Sequence, residues 1–232
     1  MKTIGLLGGM SWQSTLAYYR AINEATHAAL GGLHSAKIVM YSVDFEQIAV
    51  LQQQGDWQAT TKILIEAAQN VQSAGAELLL ICTNTMHKVA PQIEAAIDIP
   101  LLHIADTTAE AAITDNADTL GLLGTAFTME DDFYTARLRE KHGLKVLVPD
   151  RQDRQIIHDV IYQELCVGIV SHRSKTHYLR IIESLARQGA VAVILGCTEI
   201  GLLVNQSDTG VRLLDTAHIH AQKAVDWALN IA

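Results

Sequence analysis

Cys197 is the residue of this chain whose type and setting point most directly to chemistry. It follows an apolar run, 191–195, and one glycine, and it precedes Thr198 and Glu199, a polar pair suited to opening a helix. A thiol at a helix N-terminus has its thiolate stabilised, which brings its pKa down from ~8.5 towards neutrality. Such a thiolate serves as a nucleophile or as a base for an activated C–H proton. The bland alternative is a small buried hydrophobe. Cys82 and Cys166 read as structural: strand alternation turns Cys82 away from its neighbour Thr83, and Cys166 falls inside a helical pattern at 154–169.

Three further polar stretches follow apolar runs in the same way. Gly8-Gly9-Met10-Ser11 permits close backbone approach to an anion, although it matches neither G-x-G-x-x-G nor a P-loop. Thr83-Asn84-Thr85 and the stretch 125–128, with Thr125 and Thr128, offer hydroxyl, amide and backbone donors suited to a carboxylate. His87 lies two residues beyond the second of these, and the sequence leaves open whether it belongs to a site or is a satisfied structural histidine. The ten histidines show no metal-ligand spacing. Nothing marks a pyridoxal lysine with a phosphate cup, so no cofactor is expected.

These turns need a scaffold, and the patterning supplies one. Apolar runs at 3–8, 37–43, 77–82, 100–104, 119–124, 144–148, 191–196 and 211–214 read as strands of a parallel sheet, buried on both faces. Helical patterns lie between them at 57–73, 129–141, 154–169 and 175–188, with a last one at 216–230. The alternation predicts an α/β fold with helices flanking mainly parallel sheets. In such folds ligands gather beyond the carboxyl ends of the strands, where all four polar turns fall.

The chain also repeats itself. Thr3-Ile4-Gly5-Leu6-Leu7-Gly8-Gly9 recurs as Thr119-Leu120-Gly121-Leu122-Leu123-Gly124-Thr125, 116 positions on, and the run ending in Thr83 has a looser counterpart ending in Cys197, 114 positions on. Two nearly equal offsets predict two similar half-domains of four strands each. We place them at 1–115 and 116–213, with a C-terminal helix, 214–232, returning to the first.

Composition narrows the class. With 232 residues, 49% hydrophobic and 18% charged, the chain is neither disordered, collagenous nor a disulfide-stapled miniprotein. A net charge of −8 without a basic stretch argues against a nucleic-acid partner. No apolar run reaches the ~18 residues of a membrane span, so no membrane partner is expected. An odd cysteine count and the lack of a signal-like start lead to a cytoplasmic expectation.

Taken together, Gly8-Gly9-Met10-Ser11-Trp12 with Ser14-Thr15 and Tyr18-Tyr19, Asn84-Thr85-Met86-His87 and Gly196-Cys197-Thr198-Glu199-Ile200 resemble the aspartate/glutamate racemase family over essentially the whole chain. The resemblance implies two pseudo-symmetric α/β half-domains with the active site in the cleft between them. It implies catalysis without pyridoxal phosphate or metal, by two cysteines acting as base and acid on opposite faces of an amino acid. Here the first of those cysteines is replaced by Thr83, and the second is Cys197. A threonine hydroxyl is a far poorer base than a thiol, yet it can hand a proton to a carbanion. The implied activity is therefore racemisation of aspartate or glutamate, favouring the L-isomer, with proton abstraction at Cys197 and return from Thr83.

Met10, Gln52, Asn84, Thr85, Thr125, Thr128, Thr198 and Glu199 are the substrate contacts this implies, with Gln53 beside Gln52. Arg173 and Lys175 are the basic candidates for a carboxylate. The partner is a small-molecule amino acid, and a homodimer stays open as the assembly. Two other readings remain: a non-catalytic amino-acid-binding member, and a one-cysteine decarboxylase or isomerase of the same architecture.

Overall fold

The structure, a computed structural model, describes residues 1–231. It divides the chain into two compact units, Met1–Ile104 with the C-terminal segment from His220, and Ala105–Ile219. The division falls after residue 104, earlier than the expected 115.

In the first unit the order is β1 (Ile4–Gly8), α1 (Trp12–Leu30), β2 (Ile38–Ser42), α2 (Phe45–Gln54), α3 (Trp57–Ser73), β3 (Leu78–Ile81), a 3-10 turn (Thr85–Val89) and α4 (Ala90–Glu94). The strands form a parallel sheet in the order β2-β1-β3. The central strand β1 is buried throughout. On one sheet face Leu7, Leu79 and Ile81 pack with Ile48 of α2 and Leu64, Ala67, Ala68 and Val71 of α3. α3 covers the residues its periodicity predicts, and the Asp56 side chain caps its start by accepting from the Ala59 amide at 2.9 Å.

The expected fourth strand, at 100–104, is reduced to a single bridge between Leu101 and Leu79. Pro100 brings only a carbonyl to that edge, accepting from the Leu79 amide at 2.9 Å. Leu102 donates back to Leu79 at 3.0 Å, and by Ile104 the chain is already helical. The first sheet therefore has three strands. Nor is β2 buried on both faces as expected: it is an edge strand, with Met40 and Tyr41 exposed.

In the second unit come α5 (Ile104–Thr114), which opens at the division, β4 (Thr119–Gly124), α6 (Ala126–Glu130), α7 (Asp132–His142), β5 (Lys145–Leu147) and α8 (Arg151–Gln163). A 3-10 turn (Leu165–Val167), α9 (His172–Arg187), β6 (Ala192–Gly196), α10 (Ile200–Leu203) and β7 (Arg212–Asp215) follow, and α11 (Thr216–Leu229) starts in this unit and belongs to the first from His220 on. Its four parallel strands run β5-β4-β6-β7. Asp106 on α5 is gripped by Arg137 through two bonds of 2.7 Å, by Lys141 at 2.6 Å and by His142 at 2.9 Å, which ties α5 to α7.

Two helical patterns break where a cap intervenes. The pattern at 129–141 divides at Asp131, whose backbone is extended. That at 154–169 ends at Gln163, because the chain tightens into the 3-10 turn and closes at Gly168. The C-terminal helix spans Thr216–Leu229 within the expected 214–232, of which residue 232 lies outside the described residues. Among the described residues no helix is long and apolar enough to cross a membrane.

The two sheets share a wiring: in each, the first strand is central, with its next strand on one side and the third on the other. Ile4 faces Leu78 in the first, and Leu120 faces Ala192 in the second. These pairs reproduce the two offsets of the sequence repeat. Five residues beyond Leu78 and Ala192 stand Thr83 and Cys197, which thus hold corresponding positions after corresponding strands.

Candidate active site

The turn leaving β1 is built for close packing. Gly9 has φ +95°, and a Cβ there would collide with the Val43 carbonyl, so glycine is required twice over. Its amide donates to Thr15 Oγ1 at 2.8 Å, and that hydroxyl donates to the Ser11 carbonyl at 2.9 Å. Ser11 caps α1 by accepting from the Ser14 amide at 3.3 Å. Ser14 Oγ reaches across to the Cys82 carbonyl at 2.7 Å, fixing the end of β3 against this turn.

Around Thr83 the residues are almost wholly buried: Asn84 1%, Thr85 4% and His87 2% exposed, while Thr83 is partly accessible. His87 accepts from the Ile104 amide at its Nε2, 3.2 Å away, so its Nδ1 carries the hydrogen and donates to the Thr83 carbonyl at 2.8 Å. Both ring nitrogens are thus spent on the backbone. His87 is a structural post that holds Thr83 in place. Beneath it His220 accepts from the Tyr18 hydroxyl and donates to the Leu102 carbonyl, each at 2.8 Å. Burial and the nearby His87 push the His220 pKa down to about 3, so this ring is neutral. Cys82 is buried as expected, and burial lifts its thiol far above the ordinary range.

Met10 and Gln52 are buried too, at 4% and 3% exposure. Gln52 Oε1 has no hydrogen-bond partner, an arrangement proteins rarely leave in place without a use for it. Gln53, the next residue of α2, is exposed.

In the second unit Thr125 caps α6, its hydroxyl accepting from the Thr128 amide at 3.3 Å and meeting the Thr128 hydroxyl at 3.2 Å. The Ala126 amide donates to His158 Nδ1 at 3.1 Å. Beyond β6, Cys197 is 8% exposed and Glu199 2%. The Cys197 thiol donates to Glu199 Oε2 at 2.9 Å, and Thr198 Oγ1 donates to the same oxygen at 2.9 Å.

This overturns the expectation of a lowered thiol pKa. Burial first, then the Glu199 charge and the neighbouring Cys166, lift the Cys197 thiol well above its ordinary value. The helix after it is a single turn, Ile200–Leu203, with too few aligned peptides to stabilise a thiolate. Cys197 is therefore a protonated thiol with a carboxylate poised to take its hydrogen.

Cys166 also departs from its reading. It is not in a helix core but in the 3-10 turn, partly exposed, with Sγ 3.8 Å from Glu199 Oε1. The signal for this was Gly168, which ends a helix that the apolar spacing alone carries further. Tyr162 joins the same neighbourhood, its phenol raised by burial and then by Cys197, Cys166 and Glu199; nothing in its spacing set it apart from an ordinary helix residue.

Lys175 is held by Asp208 at 2.7 Å, and Arg173 lies exposed in the first turn of α9. Among the described residues no three His, Cys, Asp or Glu side chains come together to hold a metal ion.

Comparison with known proteins agrees with this framework. The family model described as Asp/Glu/Hydantoin racemase matches residues 7–224. A solved structure of a candidate Asp/Glu racemase from Yersinia pestis is 55% identical, covers 99% of this chain and 100% of its own, and superposes with a TM-score of 0.91. An aspartate racemase homologue from Pyrococcus horikoshii OT3 is 34% identical over 99% of this chain and 100% of its own, with a TM-score of 0.86. The broad specificity amino-acid racemase RacX of Bacillus subtilis (strain 168) is 22% identical, covering 97% of this chain and 98% of its own. The chain belongs to the Asp/Glu/Hydantoin racemase family, and so to the amino-acid racemases among the isomerases.

Proposed function

We propose that the protein racemises an acidic amino acid, aspartate or glutamate, without a cofactor, working from the L-isomer. In this reading Cys197 removes the α-proton and the Thr83 side returns one to the opposite face. The observation that carries it is the hydrogen bond from the Cys197 thiol to Glu199 at 2.9 Å. A buried, protonated thiol is no base until something takes its hydrogen. Glu199 is positioned to do so as substrate binds, leaving a thiolate to accept the proton from Cα.

The resulting carbanion is then protonated from the other side by a proton relayed through the Thr83 hydroxyl, which takes one from water as it gives its own away. Thr83 relays rather than ionises, since its alkoxide is inaccessible near neutral pH, and the proton held by Glu199 makes good the one drawn from water. The acidic class draws on the family and on the Pyrococcus relative's description as an aspartate racemase homologue. Met10, Gln52, Asn84, Thr85, Thr125, Thr128 and Thr198 remain the proposed substrate contacts.

A one-base reaction, decarboxylation or isomerisation at a single thiol, is the second reading, favoured by Thr83 standing where a second thiol would be needed. Incubation with L- and D-aspartate and glutamate in D2O, followed by NMR, separates them. Deuterium at Cα with inversion supports racemisation. A product of different mass supports the one-base enzyme, and binding without exchange means a non-catalytic member.

A further inference from the structure

Cys166 is left unused by the mechanism above, yet the fold holds it with care. Its 3-10 turn is anchored on both sides. Leu165 is fully buried, the Ile169 amide returns to the Glu164 carbonyl at 2.9 Å, and Ser174 on α9 donates to the Glu164 carboxylate at 2.7 Å. The turn delivers one thiol to a carboxylate that already receives another. Cys166 Sγ lies 3.8 Å from Glu199 Oε1, and Cys197 Sγ lies 2.9 Å from Glu199 Oε2.

We infer that Cys166 is a positioning residue for proton abstraction: its thiol donates to Oε1 of Glu199 and so keeps Oε2 turned to the Cys197 thiol. This rests on the reading of Cys197 as the group that moves the α-proton. A carboxylate on a flexible stem has several rotamers, and only some of them leave an oxygen on Cys197. A thiol is a weak donor, so its effect is on orientation more than on stability. Cys197, Cys166, Tyr162 of α8 and Tyr178 of α9 are titratable groups that feel the Glu199 charge, with Glu164 beside Tyr178. Both tyrosines are raised by burial first, and so stay neutral across the working range.

The test compares full-length wild type, Cys166→Ala and Cys166→Ser, using L-aspartate and L-glutamate. Losing the donor should lower kcat about tenfold with KM little changed. The serine hydroxyl should restore kcat. Wild-type kcat in Cys166→Ala overturns the inference. So does an equal loss of kcat in the alanine and serine variants, which is the signature of packing alone. Should the alanine variant not fold, the serine variant decides: retention of kcat with KM unchanged supports the role, and loss of kcat overturns it. Full turnover in Cys197→Ser is a different result, since it removes the underlying mechanism whatever Cys166 does.

Discussion

Cys197 donates its thiol hydrogen to the carboxylate of Glu199, two residues further along the same turn, at 2.9 Å. The pairing inverts the usual picture of an activated cysteine, because the carboxylate raises the thiol while also being the natural acceptor of its proton. Glu199→Gln separates the two effects. The amide keeps the shape but takes no proton, so kcat should fall by about 10²–10³, within the range of a lost general base. The negative charge is gone, however, so alkylation of Cys197 by iodoacetamide should become faster than in wild type. Turnover and alkylation falling together would show that Glu199 only supports the local fold. Cys197→Ser should abolish turnover with the fold unchanged by circular dichroism.

Thr83 holds the position in the first sheet that Cys197 holds in the second, and the two differ in what they can do with a proton. A thiol that passes its hydrogen to a carboxylate becomes a base, whereas a threonine hydroxyl does not ionise measurably near neutral pH. The enantiomers are equal in free energy, so kcat/KM is the same from either, and the asymmetry is read at saturation: kcat should be higher from the L-isomer than from the D-isomer, with KM for D lower in proportion. Thr83→Cys should raise kcat from the D-isomer by tenfold or more, with a smaller effect on kcat from the L-isomer. Equal wild-type kcat from both enantiomers would mean that a group other than Thr83 supplies the second base. His87 is not that group, since both its ring nitrogens are occupied by backbone.

The strands and the repeat were legible because buried parallel strands are near-continuous apolar runs, and the Gly8/Gly124 and Thr83/Cys197 offsets survive in the paired registers Ile4 with Leu78 and Leu120 with Ala192. What was not legible depended on contacts distant in sequence. The loss of a fourth strand at Leu101 reflects competition between one ladder and the helix beginning at Ile104. The protonated state of Cys197 depends on its burial and on the rotamer of Glu199, neither of which spacing reveals. Cys166 lies 31 residues from Cys197 in the chain, and only the turn closed by Gly168 brings it to the same carboxylate. Lys175 was plausible by type and region, but Asp208 sits close enough to claim it.

Gln52 presents a buried acceptor, Oε1, without a donor. An unsatisfied buried group costs about 1–3 kcal/mol, which a ligand N–H can recover on binding. In an amino-acid substrate the α-ammonium is the natural donor. Gln52→Leu should therefore raise KM about tenfold, the equivalent of roughly 1.4 kcal/mol, with a smaller change in kcat. It should leave the thermal midpoint unchanged or slightly higher, because it removes a buried polar atom that has no partner. A falling midpoint with unchanged KM would assign Gln52 to the core and remove it from substrate binding.

His220 makes the fold sensitive to acid. Its pKa is pushed down to about 3, chiefly by burial and then by His87, against ~6.5 for an exposed histidine. Between those values the unfolded chain binds a proton that the folded chain refuses, so stability falls as pH drops below ~6.5, by up to about 1.4 kcal/mol per pH unit. The contribution is intact above ~6.5 and is largely gone by about pH 3. Other groups titrate in the same window, so the measurement is a difference. Urea unfolding at pH 7, 6, 5 and 4 should show a steeper loss for wild type than for His220→Gln. That variant has no proton to gain, yet its amide can accept from Tyr18 and donate to Leu102. It should be less stable than wild type at pH 7, through imperfect geometry, with the gap narrowing or reversing by pH 4. Curves that stay parallel from pH 7 to pH 4 would show that this histidine is not what couples the fold to protons.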